Sequence, residues 1–135
     1  MDVKSMQDMV MIQTNNDPSD IVDYKTEVLE YLNEGYNRLY FRHMEAYPAA
    51  ALVLDTDTPD LPKETHRYIV DWATWRFYMN GNQSKQNRGI PFRNSFDEFY
   101  IKMPLGGGVT DPEAQAARTA AMRFTNLYKT YRPEG

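Results

Sequence analysis

The clearest candidates for chemistry in this sequence are its two histidines and one pair of spaced carboxylates. His43 and His66 could act as general bases, but no Gly-x-Ser-x-Gly turn places a serine nucleophile near either of them. His66 falls in the first turn of a predicted helix, where a structural hydrogen bond is its simplest role. Glu30 and Glu34 lie on one face of another predicted helix, where a solvated surface is simpler than an acid–base pair. We therefore expect no catalytic set and no enzymatic activity.

The sequence also lacks the residue patterns of metal and cofactor sites. Asp55, Asp57 and Asp60 stand in a polar segment that lacks the glycine and the terminal glutamate of an EF-hand calcium loop. The chain has no cysteine and only two histidines, which excludes disulfides, a thiol nucleophile and Cys- or His-rich zinc sites. The three glycines at 106–108 lack the Lys-Ser/Thr of a phosphate-binding P-loop. The sequence predicts no cofactor and no metal ion.

The composition is typical of one acidic domain. A chain of 135 residues with a net charge of −4 is a poor general binder of nucleic acid, which requires clustered Lys and Arg. No apolar run approaches the length of a membrane span, and the first residues lack a signal-peptide pattern. We expect a soluble protein made in the cytoplasm, without a membrane partner. Ten tyrosines suit either a small core or surfaces that become interfaces.

Hydrophobic periodicity predicts three helices in the first 80 residues. Residues 2–14 carry a Met-rich stripe, which is either core or an exposed docking surface. A second helix runs from about Asp20 to about Tyr47, and Gly35 within it predicts a closely packed neighbour. Residues 62–79 are apolar nearly all round, which predicts a central helix. Residues 49–58, between the second and third helices, form an extended segment or a helical turn.

The sequence after the third helix is harder to interpret. Asn80, Gly81 and Asn82 form a strong stop signal. Residues 81–91 then read as a loop that is solvated or that contacts a phosphate backbone. A short helix is predicted after Pro91, since five large apolar side chains fall on one face at helical spacing: Phe92, Phe96, Phe99, Tyr100 and Met103.

The predicted fold is all-α: a small bundle of four to five helices over residues 1–104 and an extended C-terminal helical arm over 105–135. The arm begins with the glycines at 106–108, a flexible linker, and continues as a helix over 111–132 that starts at the capping residue Asp111. Its apolar stripe and basic end suit packing on its own bundle or on a partner. The predicted bundle core is Leu32, Tyr36, Leu39, Ile69, Trp72, Phe96 and Phe99.

Two blocks of sequence carry a resemblance to a known family. The first block is Leu32-Asn33-Glu34-Gly35-Tyr36-Asn37-Arg38-Leu39. The second block is Leu61-Pro62-Lys63-Glu64-Thr65-His66, followed by an apolar helix with alanine and tryptophan. In this order they resemble the head-to-tail adaptor (connector, head-completion) proteins of tailed phages, and the resemblance extends from Asp20 to about Met103.

The resemblance implies a structural role in a virion. Family members are small helical proteins that form a ring, typically of twelve copies, between the portal and a tail, stopper or nozzle protein. The ring extends the DNA channel, and DNA passes through its lumen without sequence-specific binding; Glu27, Glu30 and Glu34 are candidate lumen residues. A C-terminal arm docks on the portal protein, which by analogy assigns portal contacts to six side chains of the arm: Arg118, Arg123, Phe124, Tyr128, Tyr131 and Arg132.

The main alternative is a small helical regulatory or DNA-binding protein. Such a protein needs a basic recognition helix, and residues 111–132 are the only candidate in this sequence. The basic residues of that helix are spread around it rather than gathered on one face. An enzyme of unrecognised type is the third hypothesis, with His66 as the residue whose loss would test it.

Overall fold

The computed structural model describes residues 1–44 and 49–103, and this part of the chain is all-helical. Two short 3-10 turns, Pro18–Asp20 and Lys63–Thr65, precede the second and third helices. The predicted all-α class is confirmed for these residues, while the predicted arm at 105–135 lies outside them. The α-helices of the described chain are α1 Val3–Gln13, α2 Ile21–Met44, α3 His66–Met79 and α4 Gln83–Lys102.

Helix α3 is the central element of the bundle. It packs against α1, α2 and α4, as its nearly continuous apolar surface predicts. Ile69, Val70 and Ala73 on α3 are fully buried, and Trp72 is 3% exposed. No helix in the described chain is long and apolar enough to cross a lipid bilayer.

The predicted core residues lie where the helices meet. Phe99 is half-buried, stacks on Tyr68 at a ring-centroid distance of 3.9 Å and packs against the edge of the core. The other six are fully or almost fully buried: Leu32, Tyr36, Leu39, Ile69, Trp72 and Phe96.

The Met-rich stripe of α1 belongs to the core and is not an exposed docking surface. Val3, Met6 and Val10 have no exposed area. The helix begins beside the segment before α3, where the backbone amides of Val3 and Lys4 donate to the carbonyls of Asp57 and Asp55 at 2.8 and 3.0 Å. These bonds satisfy two of the amides that the start of a helix leaves free.

The prediction of a loop over residues 81–91 was wrong for residues 83–91, which belong to helix α4. The stop signal does end α3 at Met79, but α4 begins at once, with the Asn82 side chain accepting from the Lys85 amide at 3.0 Å. Pro91 lies inside α4, where its missing N–H and its ring cost about 3 kcal/mol. Packing on α3 offsets this cost: a Cβ at Gly89 would lie 2.9 Å from the Tyr78 Cβ. Local polarity and proline chemistry could not reveal that contact.

His66 makes the structural hydrogen bonds expected of it. Its Nδ1 lies 2.9 Å from the ammonium group of Met1, and its Nε2 lies 3.0 Å from the Leu61 carbonyl. An ammonium group can only donate, so Nδ1 must be the bare acceptor and Nε2 must carry the proton. The neutral tautomer thus ties the chain start to the turn before α3. Burial, with a smaller contribution from the Met1 ammonium, lowers the pKa of His66.

Stability should therefore rise with pH across the range in which His66 loses its proton. Because the folded-state pKa lies below the ordinary value of about 6.5, the unfolded chain binds more protons between the two values. The His66 contribution is complete above about pH 6.5 and is lost as the pH falls through the lowered pKa. Urea unfolding at steps from about pH 5 to 7 should show a rising midpoint.

The variant His66→Gln isolates this contribution, since an amide can accept and donate at similar places without titrating. We expect its unfolding midpoint to depend less on pH than that of the parent chain. His43 has a pKa lowered by burial as well, so His43→Gln is the matched control and removes the His43 part of the slope. An unchanged slope in His66→Gln would contradict the assignment.

Candidate interaction surface

The two sequence blocks meet at the contact between α2 and α3. Gly35 faces Trp72, and a Cβ placed on Gly35 would lie 2.9 Å from the Trp72 Cβ. The two helices therefore approach more closely at this point than any side chain on Gly35 would allow. This is the packed neighbour that a glycine inside a helix predicts.

Polar side chains of the first block hold the segment that connects α2 to α3. Asn33 pairs with the backbone of Leu52, accepting from its amide at 2.8 Å and donating to its carbonyl at 3.0 Å. Asn37 accepts from the Ala49 amide at 2.9 Å. The Tyr36 hydroxyl accepts from the Asp60 amide at 2.9 Å, and burial raises the pKa of Tyr36. The connecting segment is irregular, so its backbone groups lack the partners that a helix or a sheet would provide. Each of these side chains supplies such a partner.

Glu34 joins the same junction to a basic side chain. Its Oε1 accepts from Arg76 Nε at 2.8 Å and from Trp72 Nε1 at 3.3 Å. The bond to Glu34 raises the pKa of Arg76, so the guanidinium group stays charged. About a third of each side chain is exposed, so solvent screens the pair, which positions Arg76 more than it stabilises the fold.

Arginines from α2 and α4 lie over the two tryptophans of α3. The guanidinium carbon of Arg38 on α2 is 4.4 Å from the Trp72 ring centroid. That of Arg93 on α4 is 4.7 Å from Trp72 and 4.5 Å from Trp75. We call this region the arginine–tryptophan surface; it borders a cavity of about 310 Å³ and comprises Glu34, Arg38, Trp72, Trp75, Arg76 and Arg93.

The arginine–tryptophan surface has the composition of a protein-binding site. Arginine and tryptophan are the residue types most enriched where binding energy concentrates. Arg76 pairs with Glu34, and Arg93 pairs with Asp97 at 2.9 Å. Arg38 is exposed and has no carboxylate within salt-bridge distance in the described chain. Its guanidinium lies over the Trp72 ring, where a carboxylate of a partner protein can form an ion pair with it.

A second concave region adjoins this surface along α2. It encloses about 710 Å³ and shares Glu34 and Arg38 with the arginine–tryptophan surface. Its floor is one face of α2, and its walls come from the connecting segment and from the end of α4. We call it the α2 groove; its lining residues are Glu30, Asn33, Glu34, Asn37, Arg38, Phe41, Ala51 and Tyr100.

The described side chains offer little for catalysis or metal binding. No group of three or more His, Asp or Glu in residues 1–44 and 49–103 could hold a metal ion. Asp71 is buried, accepts from the Ser95 hydroxyl at 3.0 Å, and has a pKa raised by burial. This pair closes the contact between α3 and α4 and lines none of the cavities described above.

The sequence-based site residues fall into two groups. The arm residues Arg118, Arg123, Phe124, Tyr128, Tyr131 and Arg132 lie outside the described residues. Of the candidate lumen acids, Glu27 and Glu30 are exposed, whereas Glu34 is partly buried against Arg76. The arginine–tryptophan surface could not be recognised from spacing in the sequence, because its residues come from α2, α3 and α4 and follow no regular pattern along the chain. The sequence indicated it only through the presence of arginine and tryptophan.

Comparisons with protein-family models, with curated proteins and with solved structures found no match to this chain.

Proposed function

We propose that this chain is a structural virion protein that forms a ring between the portal and the tail of a phage. In this role it extends the DNA channel and offers a docking surface to a tail, stopper or nozzle protein. DNA passes through the ring without sequence-specific contacts. The protein would be made in the host cytoplasm and would reside at the head–tail interface of the virion.

The observation that carries this proposal is the junction of the two sequence blocks. The resemblance to adaptor proteins rests on Leu32–Leu39 and on the block that begins at Leu61. In the fold these blocks are partners: Gly35 receives Trp72, and Glu34 accepts from Trp72 Nε1. Residues that flank the second block add two contacts, since Tyr36 accepts from the Asp60 amide and Glu34 pairs with Arg76. A pattern whose residues contact one another supports the resemblance more than two separate motifs would.

The arginine–tryptophan surface supports a subunit contact. Head-to-tail contacts between identical subunits close into a ring when the rotation between them permits. Such a contact needs an anchor on one side, and Arg38 provides an exposed cation held over a large aromatic ring, Trp72. The complementary side would be acidic, and the exposed face of α2 carries Asp23, Glu27 and Glu30. We assign these acids to the neighbouring subunit or to the lumen.

The test is to mix the protein with the portal ring of the same virus and to image the product by negative stain. We expect an added tier beneath the portal. A chain that lacks residues 105–135 should leave the portal bare, because the proposed arm supplies the portal contacts. Circular dichroism of the truncated chain must still show a helical fold. A bare portal at high concentration of the full chain would refute direct docking.

A DNA-binding role is the second candidate, and one feature of α4 favours it. The chain from Trp72 to Phe96 contains four basic residues and no acidic residue. Lys85 and Arg88 on α4 are exposed and line a cavity of about 260 Å³ with Tyr24 and Glu27. A gel shift with duplex DNA separates the roles. Retention that survives moderate salt and is lost in Lys85→Glu with Arg88→Glu would favour DNA binding over the adaptor.

A further inference from the structure

We propose that the α2 groove is the resting site of the first half of the C-terminal segment 111–132 of the same chain. The segment would lie along α2 in the opposite direction to that helix. The groove is an open, mixed apolar and charged surface of the described fold, and the segment has an amphipathic pattern that needs a surface to cover. This inference does not depend on the adaptor proposal.

The chain leaves the described residues beside the groove. Tyr100 lines the groove, and α4 ends at Lys102, close to Tyr100 along the helix. The Arg42 side chain donates to the carbonyls of Met103 and Ile101, both at 3.0 Å, and so fixes the end of α4 against the end of α2. The described chain therefore ends at one end of the groove, where the C-terminal half of α2 lies.

The linker, residues 104–110, is long enough for the segment to reach the groove. It is also short enough to favour binding within the same chain over binding to a second copy. Residues 104–110 can span roughly 25 Å when extended. The groove floor from Glu30 to Phe41 is about 16 Å long at 1.5 Å per helical residue. A short flexible linker gives an effective concentration of the order of millimolar, well above that of a second copy in dilute solution. The geometry thus selects the segment of the same chain.

The order of charges supports the antiparallel direction. Along the groove, α2 presents Glu30 and Glu34 first and Arg38 later, with Arg42 at the end where the chain exits. The segment has the reverse order in sequence: Asp111 and Glu113 come first, and basic residues follow. Laid antiparallel, its acids meet the arginines of α2. Its basic residue Arg118 then meets the glutamates, whereas a parallel placement would oppose like charges.

The apolar pattern of the segment suits a close approach. Ala114, Ala117 and Ala121 fall on one face at helical spacing, and small side chains allow two helices to approach closely. The middle of that face would meet the middle of α2. Ala51 is exposed there, between the two points at which Asn37 and Asn33 hold the connecting segment. Ala51 and Ala117 are therefore expected to be neighbours.

Disulfide trapping tests this placement, because the chain has no cysteine of its own. The full-length variant with Ala51→Cys and Ala117→Cys is oxidised at low concentration and followed by non-reducing electrophoresis. We expect an intrachain bond that forms more than about tenfold faster than in two control pairs. One control combines Ala117→Cys with Val22→Cys, which is 82% exposed and about 22 Å along α2 from Asn37. The other combines Ala51→Cys with Thr119→Cys, on the opposite face of the segment.

Each outcome of the disulfide trapping either supports or overturns the placement of the segment in the α2 groove. A fast intrachain bond, independent of protein concentration and specific to the Ala117 face, supports the proposal. Equal rates in all three pairs would overturn it, and so would bonds formed mainly between two chains. Adding the trapped protein to the portal ring keeps the two proposals separate. If the bond forms and no tier appears even after reduction, the groove assignment stands and the adaptor role fails.

Discussion

Replacing Trp72 with alanine is expected to lower the free energy of unfolding by about 3–5 kcal/mol. Trp72 is 3% exposed and lies at the centre of the bundle, 4.9 Å from the Phe96 ring and against the Gly35 backbone. Trp72 fills the space where α3 meets α2 and α4, so its removal leaves a cavity there. The cavity left behind adds to the lost burial of the ring.

Trp75→Ala is the matched control for this prediction. It removes the same side chain from the same helix, but Trp75 is only half-buried and its ring faces the Arg93 guanidinium. We expect the loss in Trp75→Ala to be less than about half of that in Trp72→Ala, since less apolar area leaves water there. Urea unfolding followed by circular dichroism measures both. Equal losses would contradict a central role for Trp72.

The same tryptophan links the stability of the fold to its candidate binding surface. Arg38 and Arg93 both lie over Trp72, so the ring positions the guanidinium groups that would meet a partner. Arginine keeps its charge at any physiological pH, and an aromatic face holds it without neutralising it. A partner site that rests on the core residue at the helix junction cannot shift without repacking the bundle.

The sequence predicted those parts of the fold that depend on patterns within one helix. The continuous apolar surface of α3 indicated its central place, and Gly35 indicated a close neighbour. It failed for residues 83–91 of α4, whose polar side chains and Pro91 are unfavourable locally. Their helix is held by contacts with α3, such as Gly89 against Tyr78, and these contacts join residues that no local pattern relates.

The candidate site was less predictable for a related reason. The arginine–tryptophan surface brings together Arg38, Arg93 and two tryptophans from separate helices. Only packing sets their spacing. The first sequence block, in contrast, already contained Asn33, Glu34, Gly35 and Tyr36, each of which makes a specific contact in the fold. The residues were identifiable from the sequence, but their partners were not.

Gly35→Ala should destabilise the protein by about 1–3 kcal/mol, although alanine is the better helix former. Helix propensity alone would raise stability by about 1 kcal/mol. The added Cβ, however, would lie 2.9 Å from the Trp72 Cβ and 3.1 Å from its Cγ. These atoms are held next to the α3 backbone and cannot rotate away, so the two helices must separate. Separation also weakens the Glu34 bonds to Trp72 and Arg76.

Thr26→Ala on the same helix is the control for the direction in which alanine changes the stability. Thr26 is exposed, so its replacement changes helix propensity without altering the core, and we expect a small gain in stability. Thermal unfolding of the two variants should therefore move in opposite directions from the parent chain. If both rise, the α2–α3 contact is looser than the fold indicates, and the junction of the two sequence blocks would no longer support the adaptor proposal. If only Gly35→Ala falls, the glycine is required by that junction rather than by the helix that contains it.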